Sequence, residues 1–211
     1  MKKVIGILAI ALISTTISCK DNAKQEGESQ ETMENTMHNE AMPNESHEGH
    51  DHSSGTESTQ REITQNDTKN AETTAILNAY FEIKNGLVAD SKENTAKGGT
   101  ALLAAISKFD MSKIPENAHE EYMEIQESAK EHSEHIVKSP IDHQREHFEA
   151  LSTDITDLVA LLGTDKVIYQ DFCPMANNNK GALWLSEVKE IKNPYYGSKM
   201  LTCGSVKKQI N

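Results

Sequence analysis

Two short clusters near the C-terminus, Cys173-Pro174-Met175 and Met200-Leu201-Thr202-Cys203-Gly204, each place a thiol two or three residues from a thioether. Thiolate and thioether sulfurs are soft ligands that select soft metals, Cu(I) above all. Cys173 and Cys203, joined by Met175 and Met200, would make a low-coordinate site whose affinity falls with pH, because the ligand is the thiolate. The same two cysteines support a second chemistry. A disulfide closing a loop of about 30 residues would stabilise a small exported domain by roughly 3 to 4 kcal/mol in the chain-entropy model. Composition leaves both readings open: export favours the bridge, and the paired methionines favour the metal. Methionine is also a gap-filling side chain that needs no ion.

A second group of ligand types lies upstream. Met33, Met37-His38, Met42 and His47-Glu48-Gly49-His50-Asp51-His52 fall within a polar tract, and each neutral imidazole there offers a ligand nitrogen. A flexible array of this kind is expected to collect copper or another divalent ion without building one rigid site. The third group is helical. His143 and His147 are spaced i, i+4, His132 and His135 i, i+3, and His119 lies further upstream. Such pairs can bind Cu(II) or Zn(II). Glu131, Glu134, Arg145, Glu146 and Glu149 surround them, however, and the expectation is a charged face with solvated histidines. An inward-pointing His132 or His143 would instead suggest a site within the helices.

No glycine-rich phosphate loop, no nucleophile at a recognisable distance from a base and no zinc-protease motif occurs. The acidic residues show no positional logic for a carboxylate couple. A non-enzyme is expected. The formal charge of -12 opposes nucleic acid as a partner and suits cations.

The N-terminus reads as an export signal. Lys2 and Lys3 precede an apolar run over residues 4–13 and a small polar stretch ending at Cys19. The run is too short for a membrane-spanning helix. A cysteine in this place resembles a bacterial lipoprotein cleavage site, so residues 1–18 are expected to be removed and Cys19 lipidated. Lys20 after the cysteine resembles the outer-membrane sorting pattern, which puts the protein in the cell envelope facing the periplasm. Residues 19–70 are poor in aromatic and β-branched apolar residues and read as a disordered tether.

The folded part is expected over residues 71–211. Ile76/Leu77, Tyr80/Phe81, Ile83/Lys84 and Leu87/Val88 recur at helical spacing. Ser91 can N-cap a second helix bearing Leu102, Leu103, Ile106 and Phe109, with Gly98-Gly99 weakening its first half. Pro115 opens a third helix whose inner face is marked by Ala118, Tyr122, Ile125, Ala129, His132 and Ile136. Ser139-Pro140 starts a fourth, with Ile141, Phe148, Leu151, Ile155, Leu158 and Leu162, stopped by Gly163. These predict a mainly α fold, an antiparallel four-helix bundle. Beyond Gly163, Val167-Ile168-Tyr169 and Ala182-Leu183-Trp184-Leu185 flank the turn signal Asn177-Asn178-Asn179-Lys180-Gly181. A small C-terminal β-rich or irregular appendage carrying both sulfur clusters is expected.

Tyr80-Phe81-Glu82-Ile83-Lys84-Asn85-Gly86-Leu87-Val88 resembles the opening helix of an uncharacterised bacterial extracytoplasmic family, a domain of unknown function. Asp171-Phe172-Cys173-Pro174-Met175-Ala176, Gly181-Ala182-Leu183-Trp184-Leu185 and Asn193-Pro194-Tyr195-Tyr196-Gly197-Ser198-Lys199-Met200-Leu201-Thr202-Cys203-Gly204 resemble its closing segment. Members of that family look like helical modules found as free lipoproteins and as tails of heavy-metal efflux periplasmic adaptors. The resemblance implies copper or related metal handling, with Cys173, Met175, Met200 and Cys203 as carriers and efflux components as partners. The alternative is a disulfide-stabilised interaction module docking on an efflux or other envelope protein.

Overall fold

The computed structural model describes residues 61–63, 65–66 and 68–211. The expected signal over residues 1–18, Cys19, and the tract containing Met37, His38, Met42, His47, His50 and His52 lie outside the described residues. Four long helices, α1 (Thr74–Val88), α2 (Lys92–Lys108), α3 (His119–Lys138) and α4 (Ile141–Leu162), precede a small antiparallel sheet. Its strands are β1 (Ile168–Cys173), β2 (Ala182–Ser186) and β3 (Ser205–Ile210), in the order β2-β1-β3. The domain is thus mainly helical with a C-terminal three-stranded sheet. Among the described residues no helix is long and apolar enough to cross a membrane.

Local signals act where the residue types place them. Ser91 Oγ accepts the Asn94 N–H at 3.3 Å and caps α2. Pro115 starts a single 3-10 turn ahead of α3, and Gly163 ends α4 at φ 78°, where a side chain would be strained. Asn177, Asn178 and Asn179 all take positive φ in the turn α5 (Ala176–Asn179) that joins β1 to β2. Asparagine tolerates that region better than most residues.

The core gathers on α1, which is buried on most of its circumference: Ile76, Leu77, Tyr80, Ile83 and Leu87 are fully enclosed. Tyr80 stacks on Phe148 of α4 with ring centroids 5.2 Å apart, shares a 2.8 Å hydrogen bond with Ser152, and accepts the Leu185 N–H at 3.1 Å. One side chain therefore ties α1, α4 and β2 together. The glycines expected to weaken α2 do something else. A Cβ on Gly98 would stand 2.5 Å from the Ile83 backbone nitrogen, and one on Gly86 the same distance from that of Thr95. The α1 and α2 backbones touch at these points, and only glycine permits it.

Residues before Ala71, read as tether from sequence, make contacts with α4. Arg61 pairs with Asp154 at 2.9 Å and Asp157 at 3.1 Å, and Asn66 N–H donates to the Ala160 carbonyl at 2.7 Å.

Candidate metal centre

Only Ser139 and Pro140 separate α3 from α4, so the last turns of one helix lie beside the first turns of the other. Gln144 secures the junction. It is buried, and its Nε2 donates to the Ile136 carbonyl at 2.8 Å and to the Lys92 carbonyl at 3.2 Å. Arg145, one residue on, reaches the Pro194 and Leu87 carbonyls and pairs with Asp90. The start of α4 is thereby held against α3, the first residue of α2, the end of α1 with its following turn, and the loop at Pro194.

Four histidines meet at this corner. His132 and His135 come from α3, His143 and His147 from α4. His147 is central: its Nδ1 lies 3.0 Å from His132 Nδ1, and its Nε2 lies 3.0 Å from His143 Nε2. The His135 ring stacks on that of His147 with centroids 4.2 Å apart and planes within 15°. One ring nitrogen each of His135, His143 and His147 falls within 4.8 Å of the others, a spacing from which three imidazoles could hold a metal. His143 Nδ1 is bound in turn by the Glu146 carboxylate at 2.7 Å. The cluster runs from interior to solvent: His132 is 6% exposed, whereas the His143 side chain is 46% exposed. An ion can reach it.

Burial disfavours the charged form of two of these rings, His147 and His132. Burial, followed by the neighbouring His135, His132 and His143, pushes His147 down to about 4. Burial likewise lowers His132, with Asp154 opposing. A neutral ring keeps a lone pair, which is what a metal takes.

The expectation of a solvated histidine face is therefore corrected for His132 and His147. The helical periodicity did put His132 on the inner face of α3. The acidic neighbours concealed the rest, because they occupy the outer positions of the same turns. His119 stands apart, with Nε2 2.9 Å from the Ile114 carbonyl.

The two cysteines expected to act together do meet. Cys173, at the end of β1, and Cys203, just before β3, are free thiols whose sulfurs lie 2.7 Å apart. Cys173 is fully buried, and the contact with Cys173 pushes the Cys203 thiol up to about 11. The loop between β2 and β3 brings them together: Asn193 Nδ2 donates to the Cys203 carbonyl at 2.7 Å, and its backbone N–H donates to the Leu201 carbonyl at 2.8 Å. Two thiolates clasping one ion at bonds of about 2.3 Å and a tetrahedral angle need their sulfurs roughly 3.8 Å apart. The pair as it stands is closer than that. Met175 is 43% exposed and its carbonyl accepts from the Tyr196 hydroxyl at 2.6 Å, while the Met200 carbonyl accepts the Cys203 N–H at 3.1 Å. These are backbone contacts, and they bring neither thioether to the thiols.

No curated protein and no solved structure matches the chain. Of the segments that carry the family resemblance, Tyr80 to Val88 lies within the one stretch that does match, whereas Asp171 to Ala176, Gly181 to Leu185 and Asn193 to Gly204 fall beyond it. That stretch, residues 76–166, spans α1 to α4 with all four histidines of the cluster and matches the family described as Protein of unknown function (DUF3347).

Proposed function

We propose that this protein is a membrane-anchored, extracytoplasmic metal-binding protein of copper handling or resistance, whose folded ion site is the imidazole cluster of α3 and α4. The observation that carries the reading is the convergence of His135, His143 and His147 ligand nitrogens within 4.8 Å at a solvent-accessible corner. Imidazole suits copper and zinc alike. Copper is preferred because the tract holding Met37, His38, Met42, His47, His50 and His52, and the sulfur clusters, add soft ligands to the same chain. In this reading the four long helices form an antiparallel four-helix bundle, the lipid on Cys19 fixes the protein to the outer membrane facing the periplasm, and the tract delivers ions to the cluster. The Cys/Met appendage would take Cu(I) only after its two thiols part.

Calorimetric titration of the full chain with Cu(II) and Zn(II) tests this. The variant with His135, His143 and His147 all changed to Ala should lose one tight equivalent and keep the weaker tract binding. Unchanged stoichiometry and affinity would sink the folded site.

A second reading is favoured by the 2.7 Å approach of Cys173 and Cys203. In it the pair is bridged and the appendage is a rigid docking element for an efflux component or another envelope protein. Mass spectrometry of unreduced protein separates the two readings: a bridge that copper leaves intact supports the second.

A further inference from the structure

The hydrogen bonds within the histidine cluster have a direction. Glu146 as a carboxylate can only accept, so His143 Nδ1, 2.7 Å away, carries the proton. In a neutral ring the His143 Nε2 atom then bears a lone pair, and its 3.0 Å contact with His147 Nε2 requires the proton to sit on His147. With Nε2 protonated, neutral His147 has its lone pair at Nδ1, which must accept from His132 Nδ1–H at 3.0 Å. The metal-free cluster is one chain of donors running His132 to His147 to His143 to Glu146.

The Nε2 atoms of His143 and His147 face each other at 3.0 Å, and an ion held between them needs a lone pair on each. His143 is already prepared, because Glu146 holds its proton on the far side. His147 is not. We infer that Glu146 and His132 are the positioning residues of this site, and that metal binding reverses the His132–His147 hydrogen bond. In the loaded state His147 carries its proton at Nδ1 and donates to His132 Nδ1. The protons balance: His147 releases one from Nε2 to water and receives one at Nδ1 from His132, and His132 regains one at Nε2 from water. His132 and His147 each carry one ring proton before and after the exchange. Partners that fix the tautomer of a ligating histidine change metal affinity by 10- to 100-fold when removed.

This inference rests on the proposed imidazole site, and its test separates the two. Long-range proton–nitrogen correlation spectra of the full chain labelled at histidine report which nitrogen of His147 bears the proton. The expected result is Nε2–H without metal and Nδ1–H with zinc, used because it is diamagnetic. His132→Phe should lower zinc affinity 10- to 100-fold, and His132→Asn, whose amide oxygen can accept near the Nδ1 position, should restore most of it. Glu146→Ala, at a side chain 72% exposed and so harmless to folding, should weaken zinc binding while leaving thermal unfolding in place. The same His147 tautomer in both states, or wild-type zinc affinity in both His132→Phe and Glu146→Ala, would overturn the positioning roles. Loss of the zinc equivalent in the triple alanine variant alongside that result would leave the site standing and remove only this inference.

Discussion

Asp171 on β1 is paired directly across the ladder with Trp184 on β2, and both side chains are fully buried. Neither carboxylate oxygen of Asp171 and not the Trp184 indole nitrogen has a hydrogen-bond partner among the described residues. Lys84, 1% exposed on α1, supplies a compensating charge and itself pairs with Glu187 at 3.6 Å. An interior carboxylate without hydrogen bonds is expensive. The fold carries that cost beside its best-packed aromatic residues.

The Asp171 contribution to stability should therefore fall as pH rises through the weakly acidic range, opposite in sign to that of His147, whose lowered value makes folding more favourable as pH rises from about 4. Burial pushes Asp171 up to about 6 from the ordinary 3.8, with Lys84 opposing. The folded state holds this proton more tightly than the unfolded chain, so the carboxyl costs nothing below pH 3.8 and its full cost is present above 6. A gap of that size corresponds to about 3 kcal/mol as an upper bound. Asp171→Asn should remove this contribution, so the urea unfolding free energy of the variant relative to wild type should rise from pH 4 to pH 8. A variant that keeps the wild-type slope would assign the pH effect to another group.

Helix contact makes a second prediction. Gly98→Ala adds a Cβ 2.5 Å from the Ile83 backbone nitrogen, so α1 and α2 must separate. The cost should be on the order of 1–3 kcal/mol, exceeding the gain of about 1 kcal/mol in helix propensity. Gly99→Ala meets a side-chain methyl of Val137 at 3.0 Å and should cost less. Denaturant midpoints of the two variants decide it, and a stabilised Gly98→Ala would mean the helices do not meet there.

The cysteine pair offers a third. Reaction with a small-molecule disulfide should join Cys173 to Cys203, removing two protons and two electrons from the pair and reducing one equivalent of the reagent. Closing a loop with a sequence separation of 30 residues should raise unfolding free energy by roughly 3 to 4 kcal/mol. The double variant Cys173→Ser, Cys203→Ser should lack that increment under oxidising conditions and match the wild type under reducing ones. If the sulfurs resist oxidation while copper protects them from alkylation, the soft-metal reading of the appendage gains instead.

Much of the architecture was legible along the chain because it depends on neighbours within a few residues. The apolar positions of α1, α3 and α4, the Ser91 cap, the Gly163 stop and the asparagine turn are local devices, and each acts where its residue type puts it. The inner position of His132 came out of the same periodicity. The place of Cys173 and Cys203 on one appendage followed from the short apolar runs and turn signals that flank them.

Tertiary structure decided the rest. Spacing told that His143 and His147 share a face, as do His132 and His135, but whether those two faces meet depends on how α3 and α4 are rotated about their axes. That rotation is set by burial of Ile136, Phe148 and Gln144 and by the two-residue connection at Ser139-Pro140. Gly98 reads in sequence as a weak helix residue and in three dimensions as the point where two backbones touch. By itself the sequence determined which residues form helices and which side chains are capable of binding metal; only packing, which acts between residues far apart in the chain, brought four imidazoles to one corner and two thiols within 2.7 Å.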